Sequence, residues 1–242
     1  MRKYLAPLIG AAVFGTAMVA PTVAQGPAPE TVLTVQSKVS NNKAGTKKKP
    51  RGVRLTVHTE WKTPDGFEPP IIQRAKAYFP KGSLWQGHKY PKCTEKKLNS
   101  FKGLAACPKG SIFGKGRGVA FADDVKTFPK VTGVVNGGKN KIWFYTVMTN
   151  PARVRAPVPG VIRKTSGKYA YELTLTVPES LQVVAGVPIA LQSFDVYGGK
   201  TKAAPDIMAT TSCPRNKQWP FKVTTFHSNG TDSTFEDSIR CR

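Results

Sequence analysis

Glycine and proline interrupt this chain so often that long helices have no room. The 242 residues include 22 Gly and 20 Pro. After Ala44, Gly/Pro-free windows of twelve residues occur only at 139–150 and 231–242. Both read as strand, because apolar residues dominate the first and alternate with polar ones in the second. A chain punctuated in this way is confined to short extended segments joined by turns.

Between the breaks the dominant period is two. In "VRLTVHTEW" the residues Val53, Leu55, Val57 and Trp61 point one way, and Arg54, Thr56, His58 and Glu60 the other. "YAYELTLTV" alternates in the same way, with Tyr169, Tyr171, Leu173, Leu175 and Val177 on its dry side. Strands with one wet and one dry face belong to antiparallel sheets. "IWFYTVM" (142–148) is apolar except for Thr146, so it reads as a central strand covered on both faces. "IALQSFDV" (189–196) changes phase halfway, and a β-bulge at Gln192-Ser193 would return its apolar residues to one face. Further strands are expected at 31–39, 71–79, 117–123, 131–136 and 205–212. A closing hairpin is expected at 219–227 and 233–241, and its two strands read as solvated on the face that carries His227.

A two-residue turn at Asn229-Gly230 would oppose Val223 to Glu236, mixing dry and wet faces. A three-residue loop of Asn229, Gly230 and Thr231 instead sets Phe221 opposite Ile239 and Thr225 opposite Phe235. The expected fold is all-β: an antiparallel β-sandwich, immunoglobulin-like or jelly-roll-like, with one short helix near 94–106. On that helix Leu98, Phe101 and Ala105 would share a face, although Gly103 weakens it.

The N-terminus reads as an export signal. Met1-Arg2-Lys3 precedes the uncharged apolar run 4–20, and Thr22-Val23-Ala24 offers small residues for cleavage. The expected organisation is a signal peptide at 1–24 and a single β-sandwich domain at 25–242, with no later stretch long enough to span a membrane. In an exported protein four cysteines read as two disulfides. Cys93 and Cys107 bracket the helical segment, and Cys213 and Cys241 bracket the last hairpin, so local pairing is expected. Four cysteines allow two other pairings as well.

The stretch "ACPKGSIFGKGRG" (106–118) has the glycines and cations of a phosphate loop, but the spacing fails. Gly110 and Gly114 are three residues apart rather than four, and Gly116 stands where a magnesium-binding hydroxyl is needed. The plainer reading is a turn after Cys107 whose glycines open a strand. Together with the preceding "YPKCTEKKLNSFKGLAAC", this block resembles a segment of exported, β-rich actinobacterial proteins in which Cys…Cys-Pro-x-x-Ser-x-hydrophobic-Gly leads into a strand. The resemblance spans roughly residues 70–242 and is most specific over Cys93–Ser111. It implies an extracellular β-rich domain and no particular activity.

No catalytic pattern stands out. Asp123-Asp124 and Glu236-Asp237 are adjacent pairs, so on a strand their side chains diverge. There is no G-x-S-x-G elbow, and no cofactor fingerprint. His58, His88 and His227 are far apart and no C-x-x-C occurs, which leaves no metal-ligand spacing.

Charge is the stronger signal. The formal net charge is +23, and Lys43, Lys47, Lys48, Lys49, Arg51 and Arg54 crowd the connection 41–54. Other basic residues fall at Lys115 and Arg117, Arg153 and Arg155, Arg163, Lys164 and Lys168, and Lys200 and Lys202. Such clusters bind phosphate and carboxylate polymers by charge neutralisation and counterion release; equally, they can be solvated surface. Tyr78, Phe79, Trp85 and Tyr90 stand among lysines, as in nucleic-acid modules, but fit a sandwich edge or a sugar-stacking surface as well. The functional expectation is an exported, non-catalytic binding or structural module of the cell envelope. Its partner would be an anionic cell-wall polymer or acidic polysaccharide rather than nucleic acid. The alternative is a secreted carbohydrate-active or other hydrolytic enzyme without a recognisable motif.

Overall fold

The computed structural model describes residues 30–64 and 70–242; the expected signal peptide at 1–24 lies outside the described residues. Sixteen strands follow in chain order: β1 (Val32–Val39), β2 (Arg51–Gly52), β3 (Arg54–Lys62), β4 (Ile72–Pro80), β5 (Ser83–Trp85), β6 (Ile112–Ala122), β7 (Val125–Thr127), β8 (Lys130–Asn136), β9 (Lys141–Met148), β10 (Val154–Lys164), β11 (Tyr169–Thr176), β12 (Val183–Val184), β13 (Val187–Gly199), β14 (Met208–Thr210), β15 (Gln218–His227) and β16 (Asp232–Arg240).

Every ladder among them is antiparallel. The main sheet runs β1-β3-β13-β6-β8-β9-β10-β11-β4-β15-β16, with β7 and β12 appended to β6 and β13. Its two end strands come back against each other, and the Ser233 hydroxyl donates to the Thr31 carbonyl across the seam. The expected antiparallel sandwich therefore takes the form of one sheet folded over on itself, close to a barrel. The small sheet β2-β14-β5 is separate and plugs one end, where Trp85 and Met208 pack against the main core.

Local chemistry explains the path. The bulge expected at Gln192-Ser193 is present: the β13–β6 register shifts between Leu191 and Ser193. The glycines of "GKGRG" lie inside β6 and face β13. A Cβ on Gly114 or Gly116 would overlap the Tyr197 or Asp195 carbonyl oxygen, so these glycines serve close strand approach. β10 escapes sequence reading because Pro157 and Pro159 lie within it. They are tolerated because that half of β10 pairs with β9 alone, and the ladder to β11 begins only at Gly160.

β9 is covered on both faces, as expected. Ile142, Phe144 and Met148 join the interior core, whereas Trp143 and Tyr145 pack outward against Cys93 and Leu98. That outer cover is the segment closed by the Cys93–Cys107 disulfide. It is not the single helix expected at 94–106. An α-turn, α1 (Glu95–Leu98), is capped by Thr94, and a 3₁₀ turn follows at Gly103–Ala106. The α-turn already ends at Leu98, the 3₁₀ turn opens at Gly103, whose φ is +51°, and Phe101 between them is 92% exposed rather than inward-facing. Ser111 closes the block by donating to the Pro108 carbonyl (2.8 Å). The second disulfide joins Cys213 and Cys241, the local pairing expected from the sequence.

The closing hairpin has a three-residue loop, one position earlier than expected. Ser228, Asn229 and Gly230 form it, Gly230 takes φ +81°, and His227 N–H donates to the Thr231 carbonyl (3.0 Å). Val223 consequently opposes Phe235, and Phe221 opposes Asp237. The shift from the expected register is two residues, so each side chain keeps its face. A glycine at the last loop position supplies the left-handed conformation that this turn needs.

His227 does not face solvent. It is 3% exposed and sits in a directed hydrogen-bond chain. Trp61 Nε1–H can only donate, and it does so to Thr225 Oγ1 (3.1 Å). The Thr225 hydroxyl then donates to His227 Nε2 (3.1 Å), and His227 Nδ1–H donates to Thr231 Oγ1 (3.0 Å). This arrangement needs neutral imidazole. Burial pushes the His227 pKa below its ordinary value, opposed by the charge of Asp232. On acidification the unfolded chain, with an imidazole pKa near ~6.5, takes the proton first. Stability from this group is thus intact above about pH 6.5 and declines as the pH falls below it. Thermal melts across that range should show the decline, and His227→Gln should flatten it.

Asn136 ties the plug to the wall. It is fully buried; its amide donates to the carbonyls of Gly87 (2.8 Å), Pro91 (3.0 Å) and Tyr90 (3.1 Å), and its Oδ1 accepts from Gly138 N–H (3.0 Å). Asn136→Ala should cost about 3 kcal/mol in chemical denaturation, because it leaves several buried polar groups unpaired.

Candidate functional site

The basic connection 41–54 is an ordered excursion between β1 and β3. Its ends meet where Ser40 N–H donates to the Arg54 carbonyl (2.8 Å) and Arg54 N–H to Ser40 Oγ (2.9 Å). Ala44 N–H donates to the Arg242 carbonyl (2.7 Å), and Arg242 N–H to the Asn42 carbonyl (2.8 Å). Thr46 and Lys49 close a tight turn at the tip. Inside the excursion, β2 pairs with β14 of the plug. These bonds hold the backbone that carries the cations, so little ordering entropy remains to be lost on binding.

Beside this excursion lies a groove of about 580 Å³ whose cations are Arg51, Arg54, Lys200 and Lys202; Ser40, Asn41 and Thr201 add polar groups. The pairing of β13 with β3 brings the two sets together, because Gly199 lies opposite Arg54. Arg54 is held in place: its Nη2 donates to the Lys200 carbonyl (3.3 Å), and its guanidinium lies over the Tyr197 ring at 5.6 Å. Among the described residues none of these four cations has a carboxylate within ion-pair distance. The nearest acid in sequence, Asp206, is engaged in the plug with Gln86 (2.7 Å), the Tyr90 hydroxyl and Lys89 (3.9 Å). The groove therefore keeps its positive charge.

The surface continues over the outer face of β1-β3-β13-β6. The register aligns Lys38, Thr56, Tyr197 and Lys115 in one row, and Gln36, His58, Asp195 and Arg117 in the next. In the second row Asp195 accepts from His58 Nδ1 (2.7 Å) and Arg117 Nε (3.4 Å), so part of that charge is neutralised. Among the described residues no hydroxyl or thiol is hydrogen-bonded to His58 Nε2, and no cluster of three metal-ligating side chains occurs.

Of the six expected binding residues, Arg51 and Arg54 line the groove. Lys43, Lys47, Lys48 and Lys49 are exposed, but they project from the outer part of the excursion and do not line it. Lys200 and Lys202 do line it, although they are far from the others in sequence. Their only sequence signal was a short basic run after a Gly-Gly pair. The aromatics noted among lysines are used in packing: Tyr78 lies against Tyr169 (5.3 Å between ring centroids) and Trp85 against Phe113 (5.6 Å). Tyr90 binds Asp206.

No family model and no curated protein matches this chain. Among solved structures it is similar to the backbone pilin of serotype M6 Streptococcus pyogenes, described as a modular three-domain structure. The likeness is 9% identical, covers 86% of this chain and 36% of the pilin, and has a TM-score of 0.31. It is also similar to the Iho670 flagellar-like filament, at 14% identity, 93% and 87% coverage and a TM-score of 0.22. The chain thus spans about a third of the pilin's length, and at these TM-scores neither likeness assigns a function.

The groove depends on Gly52. A Cβ there would overlap the Pro205 carbonyl oxygen, which is backbone and cannot swing aside. Gly52→Ala should force β2 from the 205–206 segment and lower stability by about 2 kcal/mol, as forced overpacking does. Denaturant titration measures the loss. Gly198→Ala serves as the control, since its backbone is not left-handed and its Cβ would meet Phe113 only at an ordinary contact distance of 3.5 Å.

Proposed function

We propose that the protein is an exported, non-catalytic module of the cell envelope that holds an anionic wall polymer or acidic polysaccharide in the Arg51–Arg54–Lys200–Lys202 groove. The observation that carries this reading is the absence of any carboxylate partner for those four cations among the described residues. Unpaired cations on a fixed backbone gain from a polyanion without first breaking an internal ion pair. Export rests on the segment 1–24, with processing after Ala24 and one β domain beyond it, and agrees with membership of the exported actinobacterial group. The two disulfides fit an oxidising compartment. Among the described residues no helix is long and apolar enough to cross a membrane.

Arg51, Lys200 and Lys202 are exposed, so replacing all three by Gln should leave the melting temperature nearly unchanged. Binding to immobilised glycerol-phosphate teichoic acid should weaken at least tenfold. The slope of log affinity against log salt should become shallower by roughly 0.7 to 0.9 for each phosphate no longer neutralised. Lys47→Gln/Lys48→Gln/Lys49→Gln should weaken binding less, because these residues stand outside the groove. Equal binding by wild type and both variants overturns the reading, and a larger loss in the 47–49 variant moves the site to the tip of the excursion.

A further inference from the structure

The interior of the folded sheet is not filled. A cavity of about 270 Å³ lies between its walls. Large apolar side chains of its lining, among them Leu55, Val57, Phe79, Leu175, Phe194 and Val223, are only half-buried. Protein interiors otherwise pack to crystal density, since unfilled space forfeits dispersion contacts. An apolar cavity of roughly 150 Å³ already stays dry and takes up benzene or xenon. This one is larger.

The walls offer a guest little besides hydrocarbon. The two charged side chains among the lining residues, Lys76 and Lys222, direct their ammonium groups to Glu172 (3.5 Å) and Glu236 (3.4 Å). Thr59 donates its hydroxyl to the Phe194 carbonyl, and Thr225 is committed within the Trp61–His227 chain. The indole N–H groups of Trp85 and Trp219 donate to the Gly138 (3.3 Å) and Ser212 (3.0 Å) carbonyls. The Thr210 hydroxyl is sealed from the space, and Tyr78 bonds Glu172. Among the lining side chains this leaves the hydroxyls of Ser37, Ser83 and Tyr171. A charged guest would lose its hydration here with no counter-charge to replace it.

The topology supplies a way in. Every junction of the main sheet carries a ladder except the seam, where β1 and β16 share none. Ser37 and Val39 line the cavity on one side of that seam and Ile239 on the other. Parting these side chains breaks no ladder hydrogen bond.

We propose that the interior is a binding site for an uncharged, hydrocarbon-like small molecule, held by exclusion from water and by dispersion contacts rather than by charge. The site shares no lining residue with the cationic groove, and the two take opposite chemistries.

Trp61, Trp85 and Trp219 all line the cavity, so tryptophan emission reports occupancy, and xenon NMR reports it independently. The probes are xenon, toluene and benzoate, which carries a carboxylate where toluene has its methyl group. Toluene should give a saturable change in emission and displace bound xenon. Benzoate should leave bound xenon in place, although the basic surface attracts it. Ala75 and Ala77 line the cavity from β4. Ala75→Leu/Ala77→Leu should abolish the binding of xenon and toluene, with the melting temperature held or raised because the added carbons fill the space. Ala77→Leu alone should weaken toluene roughly tenfold, since guest and side chain then compete for the same volume. If neither variant folds, the displacement of xenon by toluene and not by benzoate decides. The proposal is overturned if toluene does not saturate, if it leaves xenon bound, if benzoate displaces xenon as well as toluene does, or if a folded filling variant binds both like wild type.

Discussion

The buried amide of Asn136 is the contact on which both ends of this molecule depend. It stands at the last position of β8 and binds three carbonyl groups of the Gly87–Pro91 turn, those of Gly87, Tyr90 and Pro91. A buried carbonyl without a donor is expensive, so the turn has one favourable seat, against the wall. From that seat the chain runs back into β5, which carries the small sheet and hence the plug. On the outer side, Cys93 N–H donates to the Asn136 carbonyl (2.8 Å), and the Asn136 N–H donates to Ser111 (2.7 Å). One residue therefore registers the plug, the disulfide-closed cover and the wall together.

The plug separates two chemically opposite surfaces. Its inner side, with Trp85 and Met208, meets the apolar interior cavity; its outer side, through β2, presents Arg51 to the groove. Charge and apolarity lie close together without mixing, because β2 and β14 pair side by side and their backbone polar groups are consumed in the ladder. Asp206 contributes by what it does not do. Held by Gln86, Tyr90 and Lys89 within the plug, it leaves Lys200 and Lys202 unneutralised.

Strands were legible where one face is wet and the other dry, as in β3 and β11, and so was the bulge in β13. β10 was not, because proline forbids a strand only where its missing N–H would be needed, and which side of a strand goes unpaired is set by its neighbours. Phe101 misled through its helical spacing: the α-turn ends at Leu98, before Phe101 is reached. The hairpin register was right in parity and wrong by two residues. Parity follows from which faces are dry, whereas the absolute register follows from which of two adjacent positions hosts the left-handed glycine.

By itself the sequence determined an all-β antiparallel chain and a basic excursion at 41–54, and it favoured local pairing of the four cysteines without excluding the other two pairings. These follow from residue-level rules of turn propensity, alternation and proximity along the chain. Only the tertiary structure decided that the sheet folds until its ends meet and that its interior is left hollow. It likewise decided that Lys200 and Lys202 join Arg51 and Arg54 while Lys47, Lys48 and Lys49 stand aside, and that His227 is buried in a neutral network. Each of these depends on strand order. Pairing partners far apart in sequence are chosen by the total burial that the whole sheet achieves, which no local window contains.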